Sequence, residues 1–320
     1  MMTTGGSGHP VVRCAPLAEG ATTIDLHYLG RPGWIASALL EGEDGPALVD
    51  PGPATSLENL RAALAERGLA VTDLRTLLLT HIHLDHAGAT GSLVRENPAL
   101  RVYVHERGAR HLADPSRLLE SARRIYRERM DELWGEFLPV PPSNLEALAG
   151  GETIAVAGRR IETAYTPGHA SHHLSFLDTR TGIAFTGDVA GIRLGNRPFA
   201  LPPAPPPDID VEGWRASLAK IRAWAPQRLF VTHFGPADGV AAHLDELEAR
   251  LLDWAERVRR SLDEDASDEA RADRFTAAVA EELRHHLPAD DATAYFTNAG
   301  IRESWYGLAR YWRRRGGGGG

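Results

Sequence analysis

One cysteine, Cys14, and one lysine, Lys220, are all that 320 residues hold of either type. The lone cysteine excludes an internal disulfide and any Cys-rich zinc site. Long apolar runs are missing too: no window approaches the roughly 20 residues of a membrane span. Residues 1–10 lack the basic start and apolar stretch of a secretory signal, so a cytoplasmic location is expected. Positive charge is in deficit, 35 Lys and Arg against 43 Asp and Glu for a net charge of −8, which disfavours general attraction to nucleic acid or anionic membrane. With 43% hydrophobic and 24% charged residues, the chain is ordinary globular material, long enough to bury a large core without covalent staples.

Residues 23–162 alternate short β-like runs with helical ones, an α/β pattern. Residues 35–40 and 47–49 flank the turn signal Asp44-Gly45-Pro46 and predict a hairpin that leads into Asp50-Pro51-Gly52. Leu57, Leu60, Ala63 and Leu64 recur at helical spacing. Residues 74–79 predict a buried strand running into Thr80-His81-Ile82-His83-Leu84-Asp85-His86. A strand at 101–104 and one long amphipathic segment marked by Leu118, Ala122, Ile125, Leu133 and Phe137 follow. Further hairpins are expected at 153–156 with 160–166 and at 173–177 with 183–185, and a last strand at 229–231. The proline-rich stretch 197–210 can be neither helix nor central strand and predicts an extended surface loop. Beyond His243 helical patterns take over, at 244–258, about 269–287 and 302–314. The expected organisation is a flexible segment 1–20, a catalytic domain 21–242, a helical region 243–315 and a glycine tail 316–320.

Chemistry concentrates where strands end. His81, His83, Asp85 and His86 place four metal-ligand side chains within six residues, directly after a strand. Imidazole and carboxylate without thiolate suit zinc, iron or manganese in a catalytic rather than a structural site. Three more strand ends supply His169, Asp188 and His233, each preceded by a threonine at once or after Pro-Gly or Gly: Thr166, Thr186 and Thr232. One histidine after a strand is ordinarily a hydrogen-bonded surface residue; four matching contexts point to a metal centre. His173, four residues after His169, is placed to orient a ligand. His9, His27, His105, His111, His172, His243, His285 and His286 have no such context.

These strand-end motifs, with Val49-Asp50-Pro51-Gly52, resemble those of the metallo-β-lactamase superfamily over about residues 20–240. The resemblance implies a four-layer αββα sandwich with the metals at one edge between two sheets, to which this chain adds C-terminal helices. It also implies that His81, His83 and His169 bind one ion and Asp85, His86 and His233 a second, with Asp188 bridging. Two Zn ions, or Fe or Mn, would then share a water whose pKa falls to about 7, giving a hydroxide nucleophile. Asp85 would pass a proton to the leaving group, and Asp50 would orient a ligand from behind.

No cysteine lies near the motifs, unlike thiolate-bearing β-lactamases. Where acyl-homoserine lactonases carry a tyrosine, three residues past the bridging Asp, this chain has Gly191. The Thr166-Pro167-Gly168-His169 and Thr232-His233-Phe234-Gly235 motifs, followed by helices, are similar to the glyoxalase-II-like branch. Uncharacterised archaeal and bacterial members also share the proline-rich loop and an end resembling Asn298-Ala299-Gly300-Ile301. The expected reaction is hydrolysis of a thioester, ester or lactone. A mono-iron persulfide dioxygenase using His81, His169 and Asp188, and a small phosphodiesterase, are the alternatives. A small-molecule substrate is the expected partner, with a second copy in a homodimer if the amphipathic segment or the proline-rich loop serves as a contact.

Overall fold

The computed structural model describes residues 13–194 and 199–316, apart from the side chains of residues 296–298. The period-two apolar runs of the first half form a seven-stranded sheet in chain order: β1 Cys14–Ala18, β2 Ala21–Asp25, β3 Ala36–Leu40, β4 Ala47–Val49, β5 Thr76–Leu78, β6 Arg101–His105 and β7 Leu145–Leu148. Pairing is antiparallel from β1 to β4 and parallel from β4 to β7. The second sheet runs β13-β12-β11-β10-β9-β8, from β8 Thr153–Val156, β9 Arg159–Tyr165, β10 Leu174–Asp178, β11 Ile183–Phe185, β12 Arg228–Val231 and β13 Gly235–Ala237. Only β11 and β12 pair in parallel in it.

Alternation of side chains across each strand gives each sheet two apolar faces. Ala38, Leu40, Val49 and Leu78 of the first sheet meet Ile161, Leu174, Phe176, Phe185 and Phe230 of the second in one inner cluster. The opposite faces bury Leu39, Leu48 and Leu77 under α1 Leu57–Glu66 and α3 Thr90–Glu96, and Leu229 and Val231 under α7 Val211–Ala223. Two sheets face to face with helices outside make the expected αββα sandwich. Between these helices lie α2 Leu84–Ala87, α4 Glu106–Ala113, α5 Ser116–Tyr126 and α6 Met130–Leu133. After β13 come α8 Val240–Ser261, α9 Asp268–His286, α10 Ala289–Asn298 and α11 Ile301–Gly316.

Several expectations are corrected. The segment 1–20 supplies β1, paired to β2; residues 1–12 and 317–320 lie outside the described residues. The single amphipathic segment breaks at Arg127, whose φ is +49°, into α5 and α6. The proline-rich stretch is extended but not superficial. Phe199, Ala200, Leu201 and Ala204 are buried beneath the C-terminal helices, and Ser304 Oγ accepts a hydrogen bond from Ala204 N. Proline leaves few backbone donors there, so this non-helical stretch can be buried with little left unpaired; residues 197 and 198 lie outside the described residues. Strands β7 and β13 and helices α4, α7 and α10 went unpredicted; of these α7 carries a clear helical pattern in Val211, Trp214, Leu218 and Ile221. In the C-terminal region, Trp305 and Tyr311 are buried, and Trp305 and Trp312 donate to Ser261 Oγ and Ala255 O on α8.

Candidate metal centre

Topology places the site. Because β4 and β5 are parallel, Asp50 and Thr80-His81 emerge at the same end of the first sheet. In the second sheet β11 and β12 are parallel, and β9 runs the same way because two antiparallel pairings separate it from β11. His169, Asp188 and His233 therefore leave one edge together. The two edges are joined by Leu174 N donating to Thr80 O (2.7 Å) and Ala36 N donating to Thr232 O (2.8 Å).

All seven expected ligands converge there. His83 Nδ1 lies 3.0 Å from His81 Nε2 and 2.9 Å from His169 Nε2. Beside this group, His233 Nε2 is 3.2 Å from Asp85 Oδ2, and His86 Nε2 is 3.1 Å from Asp188 Oδ1. Asp188 serves both sides, with Oδ2 at 3.4 Å from His169 Nε2 and Oδ1 facing His86 and His233. His81, His86 and His169 are buried; Asp85 is the more open carboxylate, with 24% of its side chain exposed against 5% for Asp188.

The far side of each ring fixes which nitrogen faces inward. His169 Nδ1 donates to Pro203 O (2.8 Å) and His233 Nδ1 to Trp34 O (3.1 Å), acceptors that require a proton on that nitrogen. His86 Nδ1 donates to Asp50 Oδ2 (2.8 Å). Thr80 Oγ1 spends its proton on Asp50 Oδ2 (2.6 Å), so it accepts from His81 Nδ1 (3.2 Å). Four Nε2 lone pairs are thereby aimed at other lone pairs and carboxylates, a repulsive arrangement unless cations sit between them. His86 Nε2 and Asp188 Oδ1 are buried without a hydrogen-bond partner. These orphaned atoms, with a donor set of imidazole and carboxylate only, fit divalent cations of the zinc and iron type.

Asp50 is the hub behind the site and is wholly buried. Beyond His86 and Thr80 Oγ1 it accepts from Thr80 N (2.8 Å) and from Thr232 Oγ1 (2.8 Å), tying two of the strand-end threonines to one carboxylate. Its φ of +48° turns the chain sharply after β4. His173 Nδ1 pairs with Thr166 Oγ1 (2.9 Å), and the ring lies 5.1 Å from that of His81. Gly168, at φ +136°, lets the backbone pass against Trp214, where a Cβ would come within 2.3 Å of its Cα. Gly191, at φ +86°, faces Leu201 O and Leu247, leaving no room for a tyrosine at that position.

Charge is balanced tightly. Burial opposes ionisation of His86, yet Asp188, Asp85 and Asp50 around it push its pKa well up. Burial would raise Asp85, but the charges of His86 and His233 hold it down at about 2. His83 is lowered to about 4 by burial and by His169. Three carboxylates at one spot thus draw positive charge, from protons or from metal.

Sequence reading missed three participants. The carbonyls of Pro203 and Trp34 carry no side-chain signal, and His172, its ring 5.5 Å from that of His83, was grouped with the ordinary histidines. The adjacency of His172 to His173 within a ligand loop was the available clue.

A metallo-beta-lactamase superfamily profile matches residues 31–233, and the chain belongs to that superfamily. Hydroxyacylglutathione hydrolase GloC of Haemophilus influenzae is 32% identical over 153 residues, 48% of this chain and 65% of that protein. An atrochrysone carboxyl ACP thioesterase of Aspergillus fumigatus is 30% identical over 178 residues, 55% of this chain and 43% of that protein. In both cases this chain spans less than two thirds of the relative's length. Among solved structures, a metallo-beta-lactamase family protein from Thermus thermophilus superposes with a TM-score of 0.70 at 24% identity, covering 93% of this chain and 95% of its own.

Proposed function

We propose that the chain is a metal-dependent hydrolase of a small-molecule thioester, with an ester or lactone as the next candidates. The observation that carries this reading is the sharing of Asp188 between two converging donor groups. His81, His83 and His169 would hold one zinc ion and Asp85, His86 and His233 the other, with Asp188 between them. A zinc pair, when bound, supplies hydroxide at neutral pH and polarises the substrate carbonyl.

The protein's own groups do the rest. The Nδ1 bonds of His81, His86, His169 and His233 hold four rings in register, so little reorganisation is needed during reaction. Asp85, partly open to solvent, would take a proton from the nucleophile and deliver it to the leaving thiolate or alkoxide. Asp50 keeps His86 and the two threonines fixed. The absence of a tyrosine at Gly191 speaks against the lactonase arrangement, and the likeness to an acylglutathione hydrolase and to a thioesterase favours the thioester.

A panel of thioesters, lactones and small phosphodiesters tests the reading. Thioester turnover by the protein and its loss in His83→Ala, with an unchanged circular dichroism spectrum, is the expected outcome; His83 lies outside the core, so the fold does not depend on it. Turnover of phosphodiesters alone would refute the acyl assignment.

A further inference from the structure

Against Trp34, whose carbonyl holds His233, packs an aromatic stack that the hydrolytic chemistry does not use. Tyr28 and Trp134 lie nearly parallel, ring centres 5.8 Å apart at 12°, and Tyr126 meets Trp134 edge-on at 5.0 Å. Three separate pieces of chain bring them to the site. Tyr28 belongs to the β2–β3 connection, whose Trp34 carbonyl holds His233. Trp134 follows Leu133, whose carbonyl accepts from Thr55 Oγ1 on the segment after Asp50. Tyr126 closes α5.

Tyr28 and Trp134 are 6% and 8% exposed, and Tyr28 Oη and Trp134 Nε1 are both buried without a hydrogen-bond partner. Buried phenols and indoles ordinarily find one. Elsewhere in this chain they do: Trp214 Nε1 donates to Val189 O, Trp305 Nε1 to Ser261 Oγ and Tyr295 Oη to Phe199 O. Among the described residues Trp254 Nε1 is the other orphan indole, packed under α9 against Phe275. Two unsatisfied donors in one stack, contributed by different segments beside a catalytic centre, await an acceptor.

We propose that Tyr28, Tyr126 and Trp134 form the acyl-binding box of this hydrolase, and that it takes a flat aromatic or conjugated acyl group bearing an uncharged oxygen acceptor. The proposal rests on the hydrolytic reading for the word acyl, and on the stack alone for the ligand's shape and polarity. The rings offer faces and edges to a planar group. Tyr28 Oη and Trp134 Nε1 offer two neutral donors to its oxygen. Burial, and after it the Asp85 charge, push the Tyr28 and Tyr126 phenols up, so both stay protonated as donors across the working pH range.

Tyr28→Phe and Trp134→Phe each delete one orphan donor and keep an aromatic ring. Because the deleted hydroxyl has no partner in the free protein, Tyr28→Phe should melt at or above the temperature of the parent, whereas Trp134→Phe also shrinks a buried ring and should melt lower. Calorimetric titration with 4-hydroxybenzamide, a non-hydrolysable probe, should show binding to the parent and an affinity about fivefold weaker in each variant, the loss of one neutral hydrogen bond. The ratio of kcat/KM for a 4-hydroxybenzoyl thioester over an acetyl thioester should fall by a similar factor. Unchanged probe affinity in both variants, with Tyr28→Phe melting below the parent, would make the stack a packing element and overturn the proposal, as would failure of the parent to bind the probe. If no thioester is hydrolysed while the probe binds and the variants weaken it, the hydrolytic reading fails and the box stands.

Discussion

Replacing Asp50 by Asn tests the site from behind without touching a proposed ligand. Asp50 Oδ2 receives three donors, Thr80 Oγ1, Thr232 Oγ1 and His86 Nδ1, while Oδ1 receives Thr80 N. An asparagine oxygen can replace only one carboxylate oxygen, and its NH2 group must face a donor on the other side. If that group replaces Oδ2, His86 Nδ1 loses its acceptor; if it replaces Oδ1, Thr80 N does. Hydrogen bonds to a charged group are worth about 1.5–3 kcal/mol each, so loss of the charge and of one or two bonds costs about 3 kcal/mol of stability. Loss of the group that orients a metal-binding imidazole typically weakens binding about 10–100-fold, or about 1.4–2.7 kcal/mol. The loss should fall on the ion held by His86, so one of two metal equivalents becomes easy to strip. Urea unfolding of the metal-free protein and chelator competition on the loaded protein measure the two effects separately. Asp50→Asn with parental stability and two equally tight equivalents would refute the role of the hub.

At the Arg159–Asp178 pair, both side chains are fully buried, with Arg159 Nη1 2.6 Å from Asp178 Oδ2 and Nη2 donating to the carbonyls of Glu19 and Gly20. Arg159→Ala strands the carboxylate and should cost about 3–5 kcal/mol in urea unfolding; a cost below about 1 kcal/mol would contradict the burial argument. His243, buried and donating from Nε2 to Ala190 O, has its pKa lowered by burial first and by Arg193 among the charges around it. Its folded-state value lies below the unfolded one, so the two states bind protons equally at high pH. As the pH falls through about 6.5 the unfolded chain protonates first, and stability is lost. His243→Gln should therefore flatten the decline in stability between neutral and mildly acidic pH, and an unchanged slope would show that His243 does not contribute to it.

The β grammar was readable because each strand end repeats a threonine before a candidate ligand, and the structure shows what three of those threonines bond to. Thr80 and Thr232 donate to one buried carboxylate, and Thr166 positions His173. Residues 197–210 were misread as surface because proline content reports backbone geometry and not burial; their cover, α8, α10 and α11, lies about 40 to 100 residues further on. The break between α5 and α6 hangs on one backbone angle at Arg127, which side-chain periodicity does not record. Main-chain acceptors such as Pro203 O and Trp34 O are invisible to any motif, since every residue owns a carbonyl. The aromatic stack was not legible: Tyr126 and Trp134 lie within the amphipathic segment, but Tyr28 lies far upstream in the chain, and only the sandwich joins them.

The central claim is that seven side chains hold two metal ions through Asp188. Elemental analysis of protein purified without added metal, with zinc, iron and manganese counted per chain, tests it most directly. About two equivalents of zinc are predicted, with Asp188→Asn reducing retention at both sites at once. One equivalent of iron and nothing at the Asp85, His86 and His233 group would contradict the account and turn attention to oxygen-dependent chemistry at His81, His169 and Asp188.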